Sequence, residues 1–390
     1  MADRTAKIDF YRHHLGEEEQ KSVLRCLQGL FLTTGDQVAR FEAEFSRYTG
    51  LPYTVGLNSC TAALHLALLA LNIGPGDEVV TTPMTFIATA TAILHTGARP
   101  VFADVEPDTG LLAPEAVAAA VTPATKAILP VHLYGSMCDM RRLRAIADAH
   151  DLKIIEDCAH CVEGVRDGVR PGELSDAACY SFYATKNLTS GEGGALSCRD
   201  KALAAQVRLL RQHGMSKEAA DRYHGAYRHW DMLECGWKYN MDNIHASILL
   251  PQLPRIEERW QRRANLYVLY AATLEGVPGV RLTGIPGNTK SAFHLFTVLV
   301  DADRRDHVLE ALSGQGIGVA VNYRAIHLLQ YLRRELGHAP GDFPRAEEIG
   351  DRTISLPFWI GMGQEEIDIV ASCLRRLCRC HPWNPGGYDP

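Results

Sequence analysis

Lys153-Ile-Ile-Glu-Asp157 and Ala177-Ala-Cys-Tyr-Ser-Phe-Tyr-Ala-Thr-Lys186 are two short apolar runs, each closed by a side chain able to carry charge. Their apolar cores are too short for helices and continuous rather than alternating, as in strands buried on both faces. The chain on either side repeats the pattern. Thr54-Val-Gly-Leu57, Glu78-Val-Val-Thr-Thr82, Pro100-Val-Phe-Ala103, Lys126-Ala-Ile-Leu-Pro-Val-His-Leu133 and Gly194-Ala-Leu-Ser197 read as further strands. Helical periods fill the gaps at 61–71, 86–95, 114–121 and 141–150, the first stopped by Gly74-Pro-Gly76. Such alternation predicts an α/β fold, a mostly parallel central sheet sandwiched by helices. Ligands of these sheets sit outside the carboxyl ends of the strands, so polar residues just past each strand become the candidates for chemistry.

After residue 200 the pattern changes. Helices are expected at 201–213 and at 242–265, the second interrupted at Pro251 and Pro254. A smaller C-terminal α+β unit follows, with strands at 293–300 and 317–321 and a helix at 304–314. A closing helix at 364–379 carries Ile367, Val370, Ala371 and Leu374 on one stripe. The turn-rich tail from Pro382 is expected to fray. The expected division is a large ligand-binding domain over 1–255, N-terminal segment included, and a smaller domain with its tail over 256–390.

Among the 390 residues, 46% are hydrophobic and 22% charged, with a formal net charge of -6, the balance of a globular protein. Basic residues are interleaved with acids, as in Arg255-Ile-Glu-Glu-Arg-Trp-Gln-Arg-Arg263, which argues against nucleic acid as a partner. The amino terminus has no apolar signal core and no run is long enough for a bilayer, so no membrane association is expected. Eleven cysteines, an odd number spread over the whole length, do not form a disulfide framework and suit the cytoplasm. Cys158-Ala-His-Cys161 and Cys378-Arg-Cys-His381 lack a matching second pair at zinc spacing, and no metal is expected.

Four polar groups fall where the sheet rule wants them. Ser59-Cys-Thr61 precedes the first apolar helix; its hydroxyls can cap that helix or, with the free amides, hold a phosphate. Asp157 is either a strand-end charge or a carboxylate placed to keep a pyridine nitrogen protonated. Ser181 and Lys186 flank the end of the next strand, ahead of the Gly191-Glu-Gly-Gly194 turn. Alone, Lys186 would be a solvated lysine; buried, it would have the depressed pKa that Schiff-base chemistry requires. Alone, Phe86 reads as a core residue at a helix start.

In their order along the chain these elements resemble the DegT/DnrJ/EryC1/StrS family of sugar aminotransferases. Matching segments include Ser59-Cys-Thr-Ala-Ala-Leu64, Thr85-Phe-Ile-Ala-Thr-Ala90, Pro130-Val-His-Leu-Tyr-Gly135, Ile155-Glu-Asp-Cys-Ala-His160, Ser181-Phe-Tyr-Ala-Thr-Lys-Asn187 and Gly236-Trp-Lys-Tyr-Asn-Met-Asp242. The resemblance implies a fold type I transferase dependent on pyridoxal 5′-phosphate (PLP), with the cofactor on Lys186 as a Schiff base. It implies that Asp157 pairs with the pyridine nitrogen and that Phe86 stacks on the ring. Thr61, Ser181 and the Cys60 backbone would hold the phosphate, and Asn240 would reach the phosphate of a neighbouring subunit, giving a homodimer with shared active sites. Three residues depart from the family pattern: Cys60 stands for a usual Gly, His160 for the Gln that contacts the cofactor's 3′-oxygen, and Asn322 for a His near the substrate.

The implied reaction is a ping-pong transfer of the amino group of L-glutamate to a keto sugar. Thr189-Ser-Gly-Glu-Gly-Gly194 and the 236–241 segment resemble the branch acting at C-4 of a nucleotide-linked 4-keto-6-deoxyhexose. Two alternatives remain open: a non-sugar ketone such as a cyclitol, and a PLP-fold regulatory protein without turnover.

Overall fold

The computed structural model describes residues 7–216 and 229–378. Helices α1 (Glu17–Leu27) and α2 (Asp36–Thr49) lead into β1 (Tyr53–Leu57) and α3 (Cys60–Ala70). There follow β2 (Glu78–Thr81), α4 (Ala88–His95), β3 (Arg99–Phe102), α5 (Pro114–Ala120), β4 (Thr125–Leu129), α6 (Met140–His150) and β5 (Lys153–Asp157). A two-residue β6 (Val165–Arg166) precedes β7 (Ala177–Ser181), β8 (Gly194–Cys198) and α7 (Lys201–Leu210). The long helical stretch is divided into α8 (Asn243–Leu249), a 3₁₀ segment (Leu250–Arg255) that holds both prolines, and α9 (Ile256–Leu274).

Seven strands form the main sheet in the order β1-β8-β7-β5-β4-β2-β3. The pairings from β7 through β5, β4 and β2 to β3 are parallel, while β8 runs antiparallel to both neighbours. Successive residues on one strand feed opposite cores, the two-residue period of a strand covered on both faces. Val79, Ile155, Ala177 and Cys179 join the α3–α4–α7 side. Val80 and Ile154 join the α5–α6 core, and Ala178 and Tyr180 the core beneath α2 and α8. Burying this unbroken apolar surface is the main favourable term in holding the layers together.

The C-terminal unit comprises β9 (Arg281–Leu282), β10 (Thr289–Lys290), β11 (Phe296–Leu299), α10 (Arg305–Gly314), α11 (Gln330–Leu336), α12 (Pro344–Arg352), β12 (Thr353–Leu356) and α13 (Gln364–Cys378). Strands β12, β11 and β9 form an antiparallel sheet in that order, and β10 pairs back with β6. Tyr270 of α9 stacks on Phe296 at a centroid distance of 4.2 Å, at the heart of a core shared with α10 and α13. Ile8 belongs to this core too: its amide donates to Gly316 O and its carbonyl accepts from Gly318 N.

Several expected boundaries move. The strand expected at 126–133 ends at Leu129, because Pro130 has no N–H for the ladder. The helix expected from 86 begins at Ala88, and the strand expected from 293 begins at Phe296. The helix expected to reach His213 ends at Leu210, and His213 adopts φ 61°. Residues 317–321 make single bridges, from Ile317 to Ile8 and from Ala320 to Ser355, rather than a strand. The expected C-terminal fraying from Pro382 lies outside the described residues.

Candidate active site

The carboxyl ends of β5 and β7 and the amino end of α3 open onto one cavity of about 510 Å³. Its walls bring together Lys186, Asp157, Cys60, Thr61, Phe86, His160 and Ser181, residues spread over more than a hundred positions of sequence. Asn240 lies off this wall. Its side-chain NH₂ donates to Thr34 Oγ1 at 2.7 Å, and Lys238 Nζ donates to its Oδ1 at 2.5 Å.

Ser59 caps α3, its Oγ accepting from Ala62 N at 3.1 Å. The amides of Cys60 and Thr61 then have no partner within the helix, at the end where the helix dipole favours an anion. Strand β8 passes close beneath. A Cβ on Gly194 would lie 2.3 Å from the Ser59 carbonyl carbon and 2.5 Å from Cys60 N, so glycine is required there. Cys60 itself is helical, so its side chain imposes no unusual backbone angle. Its thiol turns inward, 3.4 Å from Cys179 O and 4.0 Å from Asp157 Oδ1.

Asp157 is buried and fixed through both oxygens. Ala159 N donates to Oδ1 at 3.1 Å and Thr89 Oγ1 to Oδ2 at 2.9 Å, with Thr85 Oγ1 2.8 Å behind Thr89. Burial raises its pKa; these donors and the charge of Lys186 work the other way. The remaining lone pairs suit one more cationic N–H. Lys186 sits on a loop whose shape is set by main-chain bonds from Lys186 N to Tyr183 O and from Phe182 N to Gly193 O. Burial pushes the Lys186 amine down to about 8, against the pull of Asp157 and Cys60. The neutral, nucleophilic amine is therefore accessible near neutral pH.

His160 Nδ1 accepts from Tyr134 N at 3.3 Å, which places the ring proton on Nε2, 3.2 Å from the Tyr323 hydroxyl. Burial first, then the nearby Lys186 charge, holds its pKa well below the ordinary histidine range, so the ring is neutral. Phe86 is 55% exposed at the cavity mouth, its ring centroid 6.0 Å from that of Tyr323, and so is not a core residue. Asn322 also lines the cavity, and its main-chain carbonyl accepts from the Tyr134 hydroxyl.

Thr89, Tyr323 and His294 were not singled out from sequence. Thr89 lay inside a helical period and His294 inside an apolar run read wholly as strand. Tyr323 adjoins the departure at Asn322, the one available signal. The Cys158-Ala-His-Cys161 cluster does not converge: Cys161 Sγ donates to Gly135 O, while His160 faces the cavity. Cys158 instead meets His132 and Glu156 in a fully buried trio with ligand atoms within 4.8 Å of one another. His132 Nε2 lies 2.6 Å from Glu156 Oε2, Cys138 N donates to His132 Nδ1, and Gly172 N donates to Glu156 Oε1. These hydrogen bonds already occupy the atoms that a metal would need.

A desolvated lysine, a buried carboxylate and a helix start with free amides around one cavity fit PLP, since they would offer a complementary group to its aldehyde, pyridine nitrogen and phosphate. The fold is that of a fold type I, PLP-dependent aminotransferase. The chain belongs to the DegT/DnrJ/EryC1/StrS aminotransferase family, whose sequence profile matches residues 13–375. It is 39% identical over 372 residues to the spore coat polysaccharide biosynthesis protein SpsC of Bacillus subtilis, covering 94% of this chain and 95% of that one. Among solved structures, DesV of S. venezuelae superimposes with a TM-score of 0.85 at 35% identity, covering 93% of this chain and 94% of that one. DesI, crystallised with its TDP-sugar product, gives 0.86 at 30% identity, covering 97% and 94%. No described helix is long and apolar enough to cross a membrane.

Proposed function

We propose that the protein transfers the amino group of L-glutamate to C-4 of a nucleotide-linked 4-keto-6-deoxyhexose, as a homodimer with shared active sites. The observation that carries the reaction is the part-buried Lys186, its amine pulled down by desolvation, lining one cavity with the buried Asp157. The sugar is supported by SpsC's role in polysaccharide biosynthesis and by the TDP-sugar product of DesI. When bound, PLP supplies an electrophilic carbon for amines and an electron sink for the carbanion formed beside the nitrogen. Lys186 would hold the cofactor through Nζ and, as a free amine, would carry the proton taken from the donor's α-carbon. Asp157 keeps the pyridine nitrogen protonated, with Thr89 and Ala159 holding its carboxylate in line. The Cys60 and Thr61 amides and the Thr61 and Ser181 hydroxyls bind the phosphate. Phe86 would cover the ring face, and the His160 Nε2 proton would be available to the 3′-oxygen in place of the Tyr323 hydroxyl. Release of 2-oxoglutarate followed by entry of the keto sugar makes the cycle ping-pong.

Asn240 is assigned to the partner's phosphate because it is ordered by Thr34 yet lies off its own cavity wall. Exposed Leu24, Leu27, Leu30 and Leu32 beside α1 support a buried subunit contact. The division at residue 255 and a cytoplasmic location, the latter supported by ten described free cysteines, belong to the same reading. The test supplies L-glutamate and a panel of nucleotide-linked keto sugars and follows 2-oxoglutarate. Turnover of a cyclitol ketone with none on any sugar overturns the substrate. Mixing Lys186→Ala with Asn240→Ala subunits should restore activity absent from either alone; no recovery refutes the shared site.

A further inference from the structure

Arg263 and Glu163 form an ion pair in which both residues are 3% exposed. A buried pair of this kind seldom adds net stability, which raises the question of what it holds in place. Arg263 Nε donates to Ala292 O at 3.3 Å and a terminal NH₂ to the Glu163 carboxylate. The same two acceptors surround the side-chain NH₂ of Asn187, at 2.8 Å from Ala292 O and at 3.4 and 3.3 Å from the two Glu163 oxygens. The Asn187 amide can therefore face only one way. Its Oδ1 meets His294 Nδ1 at 3.4 Å. An amide oxygen only accepts, so Nδ1 carries the His294 proton.

Burial, then His160 and Lys186, hold His294 well below the ordinary histidine range, so its ring is neutral and Nε2 keeps a lone pair. His294 lines the cofactor cavity, its centroid 4.4 Å from that of His160. Asn322 on the same wall has an Oδ1 without a hydrogen-bond partner among the described residues. Among the described residues no arginine lines the cavity, and Lys186 is its one lysine. His294 Nε2 and Asn322 Oδ1 thus leave two acceptors on this wall for O–H or N–H donors that a ligand brings.

We propose that His294 Nε2, its tautomer set through Asn187 by the Arg263–Glu163 pair, accepts a hydrogen bond from a substrate donor group, either a sugar hydroxyl or the nitrogen of the amino donor. The hydroxyl source rests on the sugar reading above; the amine source does not. Two measurements on the holoenzyme test the assignment. Nitrogen NMR with ¹⁵N-labelled histidine should show His294 protonated at Nδ1, and Asn187→Leu should lose that preference. The two half-reactions are then followed separately by visible absorption, with L-glutamate and with a dTDP-linked 4-keto-6-deoxyhexose. His294→Leu should raise KM about tenfold for one of them, the loss of a single neutral hydrogen bond, with kcat held within about twofold. His294→Gln, which retains an acceptor, should recover most of it. An effect confined to the sugar half identifies a hydroxyl, and one confined to the glutamate half identifies the amine. Protonation at Nε2 in the wild type, or both half-reactions unchanged in a cofactor-loaded His294→Leu protein, overturns the inference. Absence of sugar turnover in the wild type counts against the proposed substrate alone, since the tautomer and the glutamate half-reaction are read without it.

Discussion

Replacing Thr89 by Val removes one hydroxyl from the group that orders Asp157 and nearly preserves the side chain's shape. The lost bond is the 2.9 Å donation from Thr89 Oγ1 to Asp157 Oδ2, made in a fully buried setting. A hydrogen bond to a charged group contributes about 1.5–3 kcal/mol, so its loss should raise the Asp157 pKa by about one to two units. The direction follows because Thr89 supports the ionised form while burial already favours the neutral one. If ionised Asp157 keeps the pyridine nitrogen protonated, the same energy appears as a tenfold to hundredfold weaker affinity for PLP, roughly, by the same conversion. The acid limb of the activity profile should also move upward by about one to two pH units. Both are measurable, by PLP titration with fluorescence and by initial rates from pH 5 to 9. Thr89→Ser should recover most of each effect, which a packing defect would not allow. An unchanged acid limb together with unchanged PLP affinity in Thr89→Val would refute the role given to this carboxylate.

Three further outcomes follow from the same geometry. Lys186 moves from an ordinary 10.5 to about 8 on burial, so the folded apoprotein binds fewer protons than the unfolded chain between those values, and its stability rises with pH across that window. Lys186→Met apoprotein should therefore melt higher at pH 7, by at most about 3 kcal/mol since Asp157 loses a partner, and the advantage should shrink above pH 8; an advantage that grows with pH contradicts the assignment. Gly194→Ala should abolish tight PLP binding through its clash with Ser59, whereas Gly191→Ala, at φ 85° with open space around it, should cost only about 1 kcal/mol in a denaturant melt. His132→Leu leaves Glu156 buried without its partner and should cost about 3–5 kcal/mol; a loss under 1 kcal/mol shows that the pair is not ionised.

The central sheet was legible because each strand is a short apolar run with a helical period on either side. The residues at strand ends, Asp157 and Lys186 above all, could be placed by one rule about where such sheets bind ligands. Strand β12 was missed: Thr353-Ile-Ser-Leu356 is short and directly follows α12, with no turn residue to announce it. Residues 317–321 carry a strand's composition, yet Gly318 lies against the N-terminal segment, where a Cβ would sit 2.4 Å from Phe10 N. Pairing with residues so distant in sequence leaves no local trace. The same reason hid Thr89, His294 and Tyr323. Each is useful only beside a residue far away in the chain, and periodicity reports a residue's own element rather than what faces it across the cavity.

The N-terminal segment has a practical consequence. Ile8 is anchored in the C-terminal core, and a few residues later Phe10 forms part of the cofactor cavity wall. This segment thus acts as a tether between the far end of the chain and the cavity. A proteolytic nick in this segment tests the tether. One that frees Ile8 should change the colour and turnover of the holoenzyme before it changes the melting of the main sheet.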